Sequence, residues 1–340
     1  MSICEPNTGD PVTVEDIRDA AKALRGIHFH TPILENEHLN ERVGGRILIK
    51  PETLQRTGSF KFRGAFTKIN RLTAADRKKG VVAFSSGNHA QGVACAARQF
   101  GIRATIVMPD DAPAIKIERT RDYGANVILY DRAREDRAEI AAKLAADEGA
   151  ILVPPYDDTD IIAGQGTVGL EIVQDLNEYG IEIDALLSPV GGGGLIAGIS
   201  TAVKAYLPAT EIWGVEPEQF DDTCRSLEAG KRLANRPGGN SICDAIVTEQ
   251  PGKITFEINR RLLAGGLRVS DRSVIDAIAV ALDHMKLVVE PGGCVALAAV
   301  LSNVFPLDGR TIVTVLSGGN IDQNMLAGFL ASSGSASDHD

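Results

Sequence analysis

Short apolar strand patterns alternate with helical patterns along most of this chain, and this alternation restricts its fold more than any other feature. A strand pattern at 81–84 precedes a helical pattern at 90–100, and a strand pattern at 104–108 precedes a helical pattern at 114–123. Parallel strands that helices cover on both faces are apolar on both sides, as these strands are. The alternation predicts an α/β fold with parallel-rich sheets flanked by helices. Strands are also predicted at 46–50, 127–130, 151–153, 185–190, 211–215 and 311–316, and helices at 14–25, 135–148, 162–179, 195–206, 253–263, 271–285 and 294–301.

The charge and composition of the chain exclude several classes of protein. The formal net charge is −10 over 340 residues without a basic block, which disfavours nucleic-acid and anionic-membrane binding. No apolar run of about 18 residues occurs, so we expect no transmembrane span. The N-terminus lacks the pattern of a signal peptide. Five scattered cysteines without a CxxC pair are typical of a reducing cytoplasm. The small, polar residues at 331–340 predict a disordered tail.

Lys61 lies in the stretch TGSFKFRGA (57–65), at the predicted start of a helix that runs to Asn70. The positive end of the helix dipole and partial burial behind Phe60 and Phe62 both disfavour the ammonium form and lower the lysine pKa. A lysine that forms an imine needs such a lowered pKa. Taken alone, the stretch favours an exposed lysine on a helix surface, so both interpretations stay open at this point.

The stretch SSGNH (85–89) follows a predicted strand and opens a predicted helix. Ligands bind at the carboxyl ends of strands in open α/β sheets. The free backbone N–H groups at the start of the helix can hold a carboxylate. The alternative is an ordinary Ser or Asn helix cap.

Four consecutive glycines, Gly191–Gly194, stand between another predicted strand and the helix that follows, with Leu195 next to them. They allow the backbone to approach a phosphate, and the start of the helix stabilises its charge. The stretch is neither GxGxxG with a ribose-binding acid nor GK[ST], which disfavours a dinucleotide site or a P-loop. A plain tight turn is the alternative.

The stretch SGGN (317–320) ends the last predicted strand. The neutral hydroxyl of Ser317 could face a ring nitrogen there. A helix-capping turn is the alternative for this stretch.

Taken together and in this order, the four strand-end stretches resemble the fold-type II enzymes that use pyridoxal 5′-phosphate (PLP). The similarity is greatest to the branch of serine/threonine dehydratases and serine racemases, and it extends from about His30 to Asn320. It implies a two-domain fold like that of tryptophan synthase β. The larger, PLP-binding domain would comprise 1–75 and 156–330, and the smaller domain 80–154. The resemblance also implies a homodimer, with PLP and a small amino-acid substrate in the cleft between the domains.

The same resemblance gives individual residues their expected roles. Lys61 forms the Schiff base with PLP, Asn88 hydrogen-bonds the ring 3-oxygen, and Ser317 meets the pyridine nitrogen. Ser86 faces the opposite side of the ring and is the second catalytic residue. The cofactor-binding set is Phe60, Lys61, Asn88, Gly191, Gly192, Gly193, Gly194, Leu195 and Ser317. The substrate-binding set includes Ser85, Ser86, Gly87, Asn88, His89 and Glu290.

The reaction implied is β-elimination of water from a 3-hydroxy amino acid of the threonine or serine type, giving a 2-oxo acid and ammonia. Lys61 would remove the α-proton as general base. A neutral Ser317 would leave the ring nitrogen unprotonated, which favours loss of the β-substituent. Alternatives are a serine racemase with Ser86 as the opposite-face acid, a β-replacement enzyme and a non-catalytic PLP binder.

The acidic stretch EPEQFDD (216–222) resembles the divalent-cation loop of serine racemase. The resemblance makes Glu216, the carbonyl of Phe220 and Asp222 the ligands. Two carboxylates and a carbonyl suit Mg²⁺ or Ca²⁺. A solvated acidic turn is the alternative. The six histidines lack the spacing of a transition-metal site.

Two positions, one that departs from the family pattern and one that matches serine racemase, bear on the substrate. Pro154 stands where many relatives have a histidine, which puts a simple threonine or serine preference in doubt. Arg134 aligns with an arginine near the active site of serine racemase. It could receive a second carboxylate, which would favour 3-hydroxyaspartate. A solvated arginine at the start of a helix is the alternative.

Overall fold

The computed structural model describes residues 9–85, 87–112 and 114–334. Helices and strands alternate along these residues, so the predicted α/β class is confirmed. The helices are α1 (Val14–Leu24), α2 (Glu37–Val43), α3 (Lys61–Arg71), α4 (Ala74–Lys79), α5 (Asn88–Phe100), α6 (Ala114–Asp122), α7 (Arg137–Glu148), α8 (Thr159–Tyr179), α9 (Gly194–Tyr206), α10 (Asp222–Ala229), α11 (Lys253–Leu262), α12 (Asp271–Met285), α13 (Pro291–Leu301) and α14 (Gln323–Gly334). The strands are β1 (Leu34–Glu35), β2 (Arg46–Pro51), β3 (Val81–Phe84), β4 (Ala104–Pro109), β5 (Asn126–Tyr130), β6 (Ile151–Leu152), β7 (Ala185–Pro189), β8 (Glu211–Pro217), β9 (Gly265–Val269) and β10 (Thr311–Leu316).

The strands form two sheets. The larger sheet has the order β1-β2-β10-β7-β8-β9, and only β1 pairs with its neighbour in antiparallel fashion. The smaller sheet has the order β5-β4-β3-β6 and is parallel throughout. The smaller sheet is thus built from one continuous stretch of chain, and the larger sheet from the segments on either side of it. The exact domain boundaries stay a prediction.

Helices cover these sheets with apolar side chains, and this packing forms the cores. Helix α13 is buried along its length and packs on the larger sheet with α12. Helices α3 and α5 contribute to a second core that also contains residues of the smaller sheet. The strands β4, β7 and β10 are almost wholly buried, as the uniformly apolar patterns predict.

Local signals at the helix ends agree with the structure. Thr13 caps α1: its hydroxyl accepts a hydrogen bond from the backbone N–H of Asp16. In return, the Asp16 carboxylate accepts a hydrogen bond from the backbone N–H of Thr13. Gly101 ends α5 in the left-handed region at φ 62°, a conformation that glycine adopts at little cost.

The sequence patterns missed several elements at the edges of the fold. The short strand β1, the edge strand β9 and helices α2, α4, α10 and α14 were not predicted. Helix α14 continues through 331–334, so the predicted disordered tail is wrong for these four residues, and 335–340 lie outside the described residues.

Candidate active site

The carboxyl ends of β3, β7 and β10 open into one cleft. The loops that follow these strands are the SSGNH, tetraglycine and SGGN stretches. Strands β7 and β10 are parallel neighbours in the larger sheet, so their loops lie side by side, and the loop after β3 of the smaller sheet lines the same cleft. The cleft is lined by Phe60, Lys61, Phe84, Ser85, Gly87, Asn88, His89, Lys116, Arg137, Pro155, Tyr156, Gln165, Pro189, Gly191, Gly192, Gly193, Gly194, Leu195, Asp244, Ala245, Ile246, Val247, Thr248, Glu290 and Ser317. Ser86, the second predicted catalytic residue, lies outside the described residues.

Lys61 is the first residue of α3 and reaches into this cleft. Its Nζ donates a 2.8 Å hydrogen bond to the carbonyl of Pro155 and lies 5.1 Å from the centroid of the Phe60 ring. Burial lowers the pKa of Lys61 to about 8, although the nearby Glu290 carboxyl acts in the opposite direction. The amine is therefore neutral far more often than that of an exposed lysine.

The tetraglycine loop approaches its neighbours so closely that side chains would not fit. A Cβ at Gly192 would lie 2.3 Å from the Tyr156 ring, and a Cβ at Gly194 would lie 2.9 Å from the Gln165 amide oxygen. Gly193 has a φ of 89°, in the left-handed region. Because α9 begins at Gly194, free backbone N–H groups gather at the loop. Such a loop at a helix N-terminus suits a phosphate.

A chain of amide groups joins three of the loops. The Nδ2 of Asn88 donates to Glu290 Oε1 at 2.5 Å. The Nδ2 of Asn320 donates to Asn88 Oδ1 at 2.8 Å and to the carbonyl of Thr57 at 2.7 Å. Asn320 thereby holds the Asn88 amide so that its N–H groups face Glu290. Burial raises the pKa of the Glu290 carboxyl to about 7.

Described residues of the loop after β3 make hydrogen bonds on either side of Ser86. The hydroxyl of Ser85 accepts a 3.2 Å hydrogen bond from the N–H of Gly87. His89 is buried, and its Nε2 lies 2.9 Å from the carbonyl of Val153. Burial, together with the positive charge of Lys61, lowers the His89 pKa to about 3, so its imidazole is neutral at ordinary pH.

Ser317 faces the cleft from the end of β10. Its carbonyl accepts a hydrogen bond from the N–H of Phe60, and an isolated antiparallel bridge pairs Ser59 with Gly318. The residues before Lys61 are therefore tied to the SGGN loop, which fixes Ser317 relative to the lysine.

Comparison with known proteins agrees with this geometry. Residues 24–318 match the family described as "Pyridoxal-phosphate dependent enzyme". The chain belongs to this family. It is 43% identical to an L-threonine ammonia-lyase of Thermotoga maritima, over 93% of this chain and 77% of that protein. It is 41% identical to an L-threo-3-hydroxyaspartate ammonia-lyase of Saccharomyces cerevisiae, over 94% of this chain and 96% of that protein. The crystal structure of a threonine deaminase from T.th. has 43% identity and a TM-score of 0.86, and the match covers 91% of this chain and 99% of that one.

The residues of this PLP-dependent enzyme fit the cofactor that the family uses. The lysine with a lowered pKa, the glycine cradle and the polar side chains at the strand ends meet in one cleft. Gln165 adds a further feature, since it is 1% exposed and neither atom of its amide has a hydrogen-bond partner among the described residues. A buried amide without partners is costly, so a ligand at this place would satisfy it.

The structure corrects one predicted site residue of the enzyme. Arg134 does not line the cleft: its side chain is 85% exposed and pairs with Asp131. Arg137, the first residue of α7, lines the cleft instead, with its guanidinium 5.7 Å from the centroid of the Phe84 ring. Arg134 lies in the turn before α7, where its N–H donates to the carbonyl of Asp131, whereas Arg137 is the first residue of the helix.

Sequence reasoning also missed Lys116 and Tyr156. Lys116 lies on α6, and its Nζ is 3.1 Å from Asp244 Oδ2 on the other side of the cleft. Three basic residues line the cleft: Lys61, Lys116 and Arg137. They come from three separate helices, so only the tertiary structure shows that they lie together.

The predicted metal ligands lie at the end of β8 and the start of α10. Glu216 is buried, and its carboxylate accepts hydrogen bonds from the N–H groups of Thr223 and Cys224 at 3.0 and 2.8 Å. Asp222 Oδ1 accepts from Asn235 at 2.6 Å, whereas Asp222 Oδ2 is buried without a partner in the described part of the chain. In the same part of the chain, no group of three or more His, Cys, Asp or Glu side chains is arranged to hold a metal. The donor types fit a hard cation, and the site itself stays a prediction.

No helix within residues 9–85, 87–112 and 114–334 has both the length and the apolar character needed to span a bilayer.

Proposed function

We propose that this protein is a PLP-dependent ammonia-lyase that eliminates water from a 3-hydroxy amino acid and releases a 2-oxo acid and ammonia. The observation that carries the proposal is Lys61, whose Nζ lies in the cleft where the three strand-end loops meet and whose pKa is lowered to about 8. The similarity to L-threonine and L-threo-3-hydroxyaspartate ammonia-lyases supports it.

The residues that would hold PLP are distributed around the cleft. The backbone N–H groups at Gly191–Gly194 and Leu195 would bind the phosphate, and the Gln165 amide, which has no hydrogen-bond partner among the described residues, would donate to it. Phe60 would pack against the ring, Asn88 would donate to its 3-oxygen, and Ser317 would meet its nitrogen. Bound in this way, PLP supplies an electron sink for the carbon that loses a proton.

The chain itself moves the proton. Lys61 Nζ is the base that takes the α-proton of the substrate, and its lowered pKa increases the fraction of free amine near neutral pH. Backbone N–H groups of the 85–89 loop would hold the α-carboxylate at the start of α5. Ser86 is proposed, from the resemblance alone, as the acid on the opposite face.

We propose that the preferred substrate carries a second carboxylate, as L-threo-3-hydroxyaspartate does. Arg137 and Lys116 supply two positive groups at the cleft. Lys116 is only 13% exposed and already pairs with Asp244, so Arg137 is the better donor for an incoming carboxylate. Threonine has no group that would use Arg137.

Three further features belong to the proposal. Glu216, the Phe220 carbonyl and Asp222 would bind Mg²⁺ or Ca²⁺, because the unpaired Asp222 oxygen offers a free hard ligand. The chain would form a homodimer, as the resemblance implies. A cytoplasmic location is consistent with four buried free cysteines, Cys95, Cys224, Cys243 and Cys294.

The experiment that tests the activity is an assay for 2-oxo acid and ammonia with a panel of 3-hydroxy amino acids, including all 3-hydroxyaspartate stereoisomers. Equal amounts of both products from at least one compound are expected, with Lys61→Ala inactive. Full activity in Lys61→Ala would refute the mechanism. Inversion at Cα without any oxo acid would instead identify a racemase.

A further inference from the structure

Helix α11 lies directly behind the tetraglycine loop, about 60 residues later in the chain. The hydroxyl of Thr255 donates a 2.7 Å hydrogen bond to the carbonyl of Gly192, and the amide of Asn259 donates a 3.3 Å bond to the carbonyl of Gly193. Both side chains are almost completely buried, at 0% and 1% exposure. A Cβ at Gly193 would lie 2.8 Å from the Asn259 amide nitrogen, so the two segments are in direct contact.

The direction of these carbonyls determines the direction of the neighbouring N–H groups. In a planar trans peptide the C=O of one residue and the N–H of the next point to opposite sides. The Gly192 carbonyl points to α11, where it also accepts a 3.3 Å bond from the N–H of Gly252, so the N–H group of Gly193 points away from that helix. The Gly193 carbonyl accepts the first bond of α9, from the N–H of Ala197 at 3.0 Å, and Asn259 adds a second, longer bond to it, so the N–H group of Gly194 points out of the start of α9. These are N–H groups of the loop that lines the cleft.

A third contact fixes α11 itself. Both oxygens of Asp157 accept hydrogen bonds from the first turn of the helix, from the N–H groups of Lys253, Ile254 and Thr255, at 2.8, 2.8 and 3.2 Å. Asp157 follows Tyr156, whose ring lies on Gly192. The segment 156–157 therefore contacts the glycine loop through Tyr156 and anchors the start of α11 through Asp157.

We propose that Thr255 and Asn259 are positioning residues for the cofactor phosphate. Thr255 holds the Gly192 carbonyl away from the cleft, and Asn259 supports the Gly193 carbonyl that begins α9, so that the N–H groups of the loop are set for an anion. Neither residue lines the cleft. This inference rests on the proposed placement of the PLP phosphate at Gly191–Gly194.

The test compares the affinity of the metal-free apoenzyme for PLP and for pyridoxal, which lacks the phosphate. In Thr255→Val the hydroxyl is replaced by a methyl group of similar size. The dissociation constant for PLP should rise about tenfold, the effect of one lost hydrogen bond, while that for pyridoxal stays unchanged. Thr255→Ser keeps the hydroxyl and should restore the affinity for PLP.

Thr120→Val is the matched control. Thr120 is also fully buried in a helix, and its hydroxyl also donates at 2.8 Å to a carbonyl, but to one in its own helix α6. This variant should leave the PLP-to-pyridoxal affinity ratio unchanged. If Thr255→Val does not yield folded protein, Asn259→Leu provides the second measurement and should change the ratio in the same direction.

The outcomes separate this inference from the assignment of the phosphate site. Gly193→Ala alters the loop itself. If Gly193→Ala weakens PLP selectively and Thr255→Val weakens both ligands equally or neither, the role of α11 is refuted and the phosphate site remains. If none of the variants changes the ratio, both the phosphate site and the inference are wrong.

Discussion

Arg137 lines the active-site cleft, whereas Arg134, only three residues earlier, points to Asp131 on the protein surface. The two arginines have the same chemistry and almost the same place in the chain. They therefore form a natural pair for testing whether the substrate carries a second carboxylate.

Arg137→Ala should lower kcat/KM for L-threo-3-hydroxyaspartate by about 10- to 100-fold, which corresponds to the loss of one charge-assisted hydrogen bond. The value for L-threonine should hardly change, because threonine has no second carboxylate. Arg134→Ala should leave both values unchanged. If Arg137→Ala lowered kcat/KM equally for both substrates, Arg137 would not bind the second carboxylate.

The lowered pKa of Lys61 makes the stability of the apoenzyme depend on pH. The pKa is about 8 in the folded chain and 10.5 for an ordinary lysine, so between these values the unfolded state binds more protons. Below a pH of about 8 the buried ammonium group lowers the free energy of unfolding. This destabilisation disappears as the pH rises toward 10.5. Lys61→Met should therefore be more stable than the wild type below a pH of about 8, and this difference in stability should shrink at higher pH.

Chemical denaturation of the two apoproteins across this pH range measures the difference. A difference that stays constant with pH would contradict a depressed lysine pKa. Glu290 is the charged group that acts on Lys61, so Glu290→Gln, measured in parallel, separates its contribution.

The buried ion pairs around Arg63 should be essential for folding. Its guanidinium makes two-pronged contacts with Glu52 and with Glu171, at 2.6 to 2.9 Å, and none of the Arg63 side chain is exposed. Arg63→Met would remove the cation that pairs with the buried Glu52 and one of the three basic side chains that contact Glu171, which costs about 3–5 kcal/mol of stability. Lys22→Met, which breaks an exposed pair with Asp19, should leave the denaturation midpoint unchanged. Equal effects of the two changes would contradict this prediction.

Adding MgCl₂ or CaCl₂ to the apoenzyme should raise its melting temperature, because a ligand that binds only the folded state stabilises it. Asp222→Ala should abolish this shift, since it removes the unpaired buried oxygen. Asp221→Ala is the control, because the neighbouring Asp221 carboxylate pairs with Arg225 and Arg268 instead. A shift that survives in Asp222→Ala would place the cation elsewhere.

Much of the fold could be predicted from periodicity alone. The buried strands β3, β4, β7 and β10 have uniform apolar patterns, and the structure contains all four within a residue or two of the predicted limits. Elements with mixed patterns were missed. Strand β9 is only half-buried and contains two glycines, and β1 is two residues long. Their pairing depends on the neighbouring strand rather than on their own sequence.

The local sequence by itself determined the strand-end loops, because glycines, small hydroxyl residues and a helix start are chemical features that can be read within a few residues. It also identified Lys61 as the first residue of a helix. Tertiary structure decided the rest. The depressed pKa of Lys61 comes from burial, and burial is produced by segments far apart in the chain, including Pro155 and Glu290. The choice of Arg137 over Arg134 and the contact of α11 with the glycine loop depend likewise on where a helix begins and what it packs against.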